Sequence, residues 1–242
     1  MSDPRRSNGP TGPTDWNAID WHKANRLVRN LRQRIFRATR ENDLKKVRSL
    51  QKLMLRSWSN LVLSVRRATQ QNQGKNTPGV DKVLVKTPTA RGKLVATMIG
   101  QTIWCARPVR RVYIPKANGK LRPLGIPTIL DRCWQGVVKN ALEPEWEARF
   151  EGSSYGFRPG RGCHDAMARI YQLAKGTSTR KWVVDADIKG AFDNIGHEPL
   201  LRAIGQFPAR ELIKQWLKAG YMELGQMHET PTGTPQGGVI TP

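Results

Sequence analysis

Ten residues constrain the fold more than any other stretch: Asp185-Ala186-Asp187-Ile188-Lys189-Gly190-Ala191-Phe192-Asp193-Asn194. They follow Lys181-Trp182-Val183-Val184, an apolar run with β-branched residues that reads as a buried strand. On a strand, Asp185 and Asp187 point to the same face. A strand ending in same-face carboxylates can hold a hard divalent cation, because Mg²⁺ needs only one or two protein carboxylates. Alone, the two aspartates read first as turn formers or helix caps, and their spacing does not choose between them. The residues that follow shift the balance. Gly190 and Ala191 are small enough for backbone N–H groups to approach an anion, and Phe192 sets an aromatic ring beside it.

An anion suits the charge of the chain. Its 242 residues carry 41 Lys and Arg against 19 Asp and Glu, a net +22. Such an excess calls for a polyanionic partner, nucleic acid or an anionic membrane surface. No stretch approaches the ~20 apolar residues that span a bilayer, and no signal-peptide core opens the chain. Cys105, Cys133 and Cys163 are widely spaced without C-x-x-C pairs, and His22, His164, His197 and His228 lack zinc-ligand spacing. Reduced thiols and no membrane partner fit a cytoplasmic protein.

Half of the excess charge lies at the front. Residues 1–75 hold 17 Lys and Arg against 5 Asp and Glu. Residues 1–14, rich in Pro, Gly, Ser and Arg, are expected to be disordered. Leu27, Val28, Leu31 and Ile35 then form a helical stripe, with Arg26, Arg29, Arg37 and Arg40 opposite. After Glu41-Asn42-Asp43 a second helix turns Leu44, Val47, Leu50, Met54, Trp58, Leu61 and Val65 inward and Lys45, Arg48, Lys52 and Arg56 outward. A basic stripe is usually a solvated face. Two in succession, with almost no acids for i, i+4 pairing, predict contact with RNA or DNA.

Gly74-Lys75-Asn76-Thr77-Pro78-Gly79-Val80-Asp81 is turn chemistry at a boundary, and Thr87-Pro88 starts a helix to about Trp104. Two β-rich segments flank Asn118-Gly119, predicting a hairpin with Lys116 and Arg122 near its tip. Stiffened by prolines, it could clamp a triphosphate, or be only a basic surface hairpin. Thr128 caps a helix to about Leu142, with Ile129, Cys133, Val137, Val138 and Ala141 buried and Glu143-Pro144 as its stop. Tyr155, Phe157, Arg158 and Arg161 lie in a glycine-rich loop suited to stacking on bases and binding phosphate, or to plain packing. Helices are expected over about 163–175, Pro199–Gly205 and Ala209–Ala219, and the Gly/Pro block from Thr230 to Pro242 should open another.

Several of these blocks carry a resemblance. Asp187-Ile188-Lys189-Gly190-Ala191-Phe192-Asp193-Asn194-Ile195 resembles the first catalytic motif of group II intron reverse transcriptases, or maturases. The fingers stretch from Ile114-Pro115-Lys116 to Gly125-Ile126-Pro127, the block Ser154-Tyr155-Gly156-Phe157-Arg158-Pro159, and Gly233-Thr234-Pro235-Gln236-Gly237-Gly238 are similar to further motifs of that family. Thr77-Pro78-Gly79-Val80-Asp81 matches too, although Lys82 stands where a second glycine is common. The resemblance implies Asp187 as the catalytic carboxylate, binding Mg²⁺ with the main-chain carbonyl of Ile188. It implies Lys116, Arg122, Gly190, Ala191 and Gln236 at the incoming deoxynucleoside triphosphate, with Phe192 excluding a ribose 2′-hydroxyl. The basic front (Arg26, Arg29, Arg37, Arg40, Lys45, Arg48, Lys52, Arg56) and Tyr155, Phe157, Arg158 and Arg161 are implied to grip RNA template, group II intron RNA and DNA primer.

The fold expected is α+β, a right-hand polymerase: a tail (1–14), a basic helical N-terminal region (15–76), fingers (77–180) and a partial palm (181–242). The family's Ala-Asp-Asp turn, which supplies the remaining aspartates for two-metal transfer, has no counterpart in these residues. The chain therefore reads as a fragment, a broken gene or half of a split enzyme needing a complementary C-terminal polypeptide. The expected activity is RNA-directed DNA synthesis in the complete enzyme. The alternative is an inactive RNA-binding module that assists splicing.

Overall fold

Asp20 accepts a hydrogen bond from the Lys23 N–H (2.8 Å) and starts α1, Trp21–Arg40. In the computed structural model, which describes residues 14–100, 104–117, 119–176, 182–234 and 236–239, Val28, Leu31 and Ile35 of this helix are buried. The expected tail 1–14, apart from Thr14, and Lys181, Asn118, Pro235 and 240–242 lie outside the described residues. Asp43 caps α2, Leu44–Arg56, and buries Val47, Leu50 and Met54, while Leu44 stays exposed, against expectation.

The single helix expected from Leu44 to Val65 is two. Ser57, in extended backbone, ends α2 and caps α3, Trp58–Arg66. The break is stabilised from inside. Buried Asn60 donates from Nδ2 to the carbonyls of Met54 (3.0 Å) and Val137 (3.1 Å), tying the end of α2 to a second helix further along the chain. A π-helical turn (Arg67–Gln71) and a 3-10 turn (Gln73–Asn76) follow, then α4, Pro88–Gly100. Trp104 is not helical.

The long helix α5, Ile129–Arg149, is the axis of the helical body. Ile129, Cys133 and Val137 pack with Trp16, Leu61, Val65, Val95 and Met98, while Val138 and Ala141 pack with Ile35, Met54, Leu201 and Phe207. Burial pushes the Cys133 thiol well above its ordinary range, so it behaves as a small apolar side chain. Glu143-Pro144 does not stop this helix. Proline removes a helical N–H, yet ion pairs hold both flanks, from Arg32 to Glu143 and from Arg48 (2.6 Å) and Arg149 (2.5 Å) to Glu145.

The expected hairpin forms from β1, Val109–Pro115, and β2, Leu121–Ile126, paired antiparallel. After α6 (Cys163–Ala174), a single turn α7 (Ala191–Asn194), α8 (His197–Ile204) and α9 (Arg210–Lys218) come β3, Tyr221–Glu223, and β4, Gln226–His228. These close a sheet of order β2-β1-β3-β4, with β3 parallel to β1. The sheet does not include 182–188. The buried strand expected there is corrected: the segment is unpaired, and Trp182 (94 %), Val183 (89 %) and Val184 (90 %) are exposed. A strand exists only where a neighbour takes up its N–H and C=O groups, and among the described residues none does. No helix among them is long and apolar enough to cross a membrane.

Candidate active site

Gly190 adopts a left-handed backbone (φ 61°), and a Cβ there would stand 2.9 Å from Asn194 Nδ2. Its carbonyl accepts from the N–H groups of Asp193 (3.0 Å) and Asn194 (3.1 Å), winding α7 directly after Asp187. Asp185 and Asp187 are both exposed, and the Ile188 carbonyl accepts from the Ala191 N–H (3.3 Å). Phe192 is half-buried against an apolar cavity of about 450 Å³ bordered by Trp146, Ile204, Ile213 and Trp216.

The Gly/Pro block ties this turn to the hairpin. The Thr234 N–H donates to the Phe192 carbonyl, and the Gly233 N–H to the Ile195 carbonyl, both at 2.8 Å. Only glycine fits at 233, since φ is 73° and a Cβ would sit 2.5 Å from the Asp193 oxygen. His197 donates from Nε2 to the Gly233 carbonyl (2.7 Å), which fixes its tautomer. Further on, Arg122 Nε donates to Gln236 Oε1 (2.9 Å), and the Gly125 N–H to the Gln236 carbonyl (2.6 Å). The loop thus brings Phe192, Arg122 and Gln236 into one assembly. Lys116 is exposed near the hairpin tip, where its carbonyl accepts from Gly119 (3.0 Å). Among the described residues no hydrogen bond joins Asp187 to this assembly.

The basic surface divides. Arg26, Arg29, Arg37, Arg40, Lys45, Lys52 and Arg56 are exposed, as expected. Arg48 is not an outward cation: it grips buried Glu145 with both terminal nitrogens (2.6 and 3.2 Å) and also Gln51 (2.7 Å). Arg158 is likewise corrected, being 7 % exposed and forked onto Glu147 at 2.6 and 2.9 Å. Those hydrogen bonds hold the Glu147 carboxyl below the ordinary range. Arg161 bonds the carbonyls of Gly152 (2.5 Å) and Ser154 (2.9 Å) and lies over half-buried Tyr155. Phe157 stands 84 % exposed.

Comparison with known proteins identifies the family. The family described as the N-terminal domain of reverse transcriptase matches residues 16–98. The family described as reverse transcriptase (RNA-dependent DNA polymerase) matches residues 114–242, more than half of the chain. The chain belongs to the reverse transcriptase family. Protein YkfC of Escherichia coli is 40% identical over 186 residues, 73% of this chain and 49% of that protein. The group II intron-encoded protein LtrA of Lactococcus lactis subsp. cremoris is 41% identical over 177 residues, 71% of this chain and 29% of that protein. An uncharacterized 91 kDa protein in the cob intron of Schizosaccharomyces pombe is 37% identical over 139 residues, 56% of this chain and 17% of that protein. The chain therefore spans about half the length of one such relative and under a third of another. Reverse transcriptases work with divalent metal ions.

Within this reverse transcriptase chain two supporting residues escaped the sequence reading. Asp131, fully buried, accepts from the indole N–H groups of Trp104 (2.8 Å) and Trp216 (3.0 Å) and from the Thr128 hydroxyl (2.7 Å). It fastens α9 and the approach to β1 onto the start of α5. Its local signal was the Thr128-x-x-Asp131 capping spacing. Gln135 accepts from the Val239 N–H (2.8 Å) and anchors the far end of the loop that carries Gln236. No local pattern marks that bond, which joins positions far apart in the chain.

Proposed function

We propose that these residues form the RNA-gripping and nucleotide-binding part of a group II intron reverse transcriptase/maturase, which copies RNA into DNA in the complete enzyme. The reading divides the chain into an N-terminal region (15–76), fingers (77–180) and part of the palm (181–242). One observation carries it: the 233–239 loop bonds both to the Phe192 turn and to the fingers hairpin, so three nucleotide-site residues share one scaffold. In this reading Lys116 and Arg122 hold the triphosphate, Arg as a fork and Lys as a point charge. Gln236 packs beside the new base pair, and Phe192 leaves no room for a 2′-hydroxyl. Gly190 and Ala191 let main-chain N–H groups close on the nucleotide.

Asp187 offers a hard oxygen donor open to solvent, and the Ile188 carbonyl a second, so they fit one Mg²⁺ that keeps waters and substrate phosphates. Among the described residues no group of three His, Cys, Asp or Glu could hold a metal. The chemistry such an ion supplies is polarisation of a phosphoryl oxygen and activation of the attacking hydroxyl. The partners of this reading are RNA template, intron RNA, DNA primer, deoxynucleoside triphosphates and a polypeptide bearing the Ala-Asp-Asp turn.

The test is primer extension by the 242-residue polypeptide, alone and with such a partner. Extension is expected only with the partner, and Asp187→Asn should abolish it. RNA binding without extension in any combination would favour the non-catalytic RNA-binding module. Asp187-independent extension would remove Asp187 from the catalytic role.

A further inference from the structure

The apolar cavity of about 450 Å³ that Phe192 borders is of the size that encloses small ligands, roughly 300–1,000 Å³. Trp146 and Phe150 at the end of α5, Ile204 of α8 and Trp216 of α9 supply much of its wall. Phe192 and Thr234, joined by their main-chain bond of 2.8 Å, border it as well. Polar groups are few. Asp131, the one acid at the cavity among the described residues, already accepts from two indoles and the Thr128 hydroxyl.

Two donors at this cavity have nothing to bond. Gln135 is only 7 % exposed, and its Oε1 accepts from the Val239 N–H, which fixes which end of the amide is the nitrogen. The Gln135 NH2 group therefore points elsewhere, and it donates no hydrogen bond among the described residues. It is not sealed in either. The unpartnered side-chain nitrogens shut off from solvent are those of Trp58, Trp134 and Arg111. The Gln135 amide thus meets open space, and the space that Gln135 borders is this cavity. A water there would need roughly 2–4 polar partners, which an aromatic wall does not offer. The second idle donor is Arg107, the one cation at the cavity among the described residues. It is exposed, and its guanidinium makes no hydrogen bond, ion pair or ring contact among them.

We propose that this cavity binds a compact aromatic anion. Its rings lie among Trp146, Phe150, Ile204 and Trp216, and an oxygen of its acidic head accepts from the Gln135 NH2. Arg107 favours an acid over a neutral molecule of the same shape. The site is separate from the RNA and triphosphate contacts and does not depend on them. Because Phe192 and Thr234 border it, an occupant should slow hydrogen exchange of the Thr234 N–H that joins them.

The test is a fluorescence titration of the 242-residue protein with anilinonaphthalene sulfonate, an aromatic anion. Phenylnaphthylamine, which has the same rings without the sulfonate, is the neutral control. Wild type should bind the sulfonate saturably at a single site. Gln135→Glu keeps the oxygen that accepts from Val239 and puts a second oxygen where the donor was, so it should weaken the sulfonate at least about tenfold. Arg107→Gln, at an exposed position, should weaken it about threefold and leave the neutral probe unchanged. Leu142→Trp should fill the cavity and abolish binding of both, and if that variant does not fold the two polar variants decide. Ile170→Ser, on exposed α6, should change nothing. Loss of binding in Ile170→Ser would put the probe on α6 and overturn the site. Binding that appears only in Trp182→Ser would make the chain's own apolar run the occupant and overturn it too. Equal affinity for both probes, unmoved by Gln135→Glu and Arg107→Gln, would overturn the ligand class.

Discussion

Two stretches of this chain have equally clear amphipathic patterns and opposite fates. In α5, Cys133, Val137, Val138 and Ala141 are buried with at most 1 % exposed. In α6, Met167, Ile170 and Tyr171 are 63 to 70 % exposed, and no residue of the helix is buried. The unpaired 182–188 segment continues the second behaviour. A helical stripe says which side of a helix would be buried, and only a facing surface makes burial happen. Most helix stability comes from that packing, so α6 and α5 should differ in stability far more than their sequences do.

The largest test of that contrast is truncation. Met54→Ala, in the body around α5, should cost about 2–5 kcal/mol in urea unfolding, and Ile170→Ala under about 0.5 kcal/mol. Equal costs would mean that α6 is packed in solution. A middle-sized test compares charge. Reversing exposed Arg26, Lys45 and Lys52 to Glu should weaken RNA binding at least about tenfold and flatten its salt dependence. Reversing Arg169, Lys175 and Lys189 on the unpacked stretch should do less, and the opposite ranking in a filter-binding titration would relocate the RNA surface. The smallest effect lies where the two regions join. Glu147 is held below the ordinary carboxylate range by Arg158, so its contribution is complete above the unfolded pKa of about 4.3 and is lost as pH falls through the lower folded value. The Arg158 Nε–H resonance should move over that acid window, and Glu147→Gln should flatten the titration.

What the sequence disclosed was local. Asn118-Gly119 marked the β1–β2 hairpin, Thr128 the start of α5, and the buried positions Ile129 to Ala141 followed from their period. The failures were relations at a distance. Arg48 and Arg158 read as free cations because Glu145 and Glu147, their partners, lie 97 and 11 residues away on α5. The 182–184 strand was inferred from β-branched composition, which describes a residue's preference and not the neighbour that it needs. β3 and β4 were missed because three residues each are too few for an alternating pattern, and their turn rests on Leu224 and Gly225 at positive φ. At the candidate site the sequence named candidate residues, while the bonds from the 233–239 loop that gather Phe192, Arg122 and Gln236 left no local signal.

That loop has no slack. Main-chain groups at Gly233, Thr234, Gln236 and Val239 are each tied to a different place, in order Ile195, Phe192, Gly125 and Gln135. It behaves like a measured cable with four fixed anchors. Apart from the glycines at 233 and 237, whose positive φ and close backbone neighbours exclude a Cβ, side chains along it can be exchanged singly, but its length cannot. One residue inserted between Thr234 and Gln236 would shift the fingers hairpin against the Phe192 turn by up to about 3.5 Å, the reach of one extended residue. The spacing of this loop is therefore a ruler for the distance between two walls of the same site.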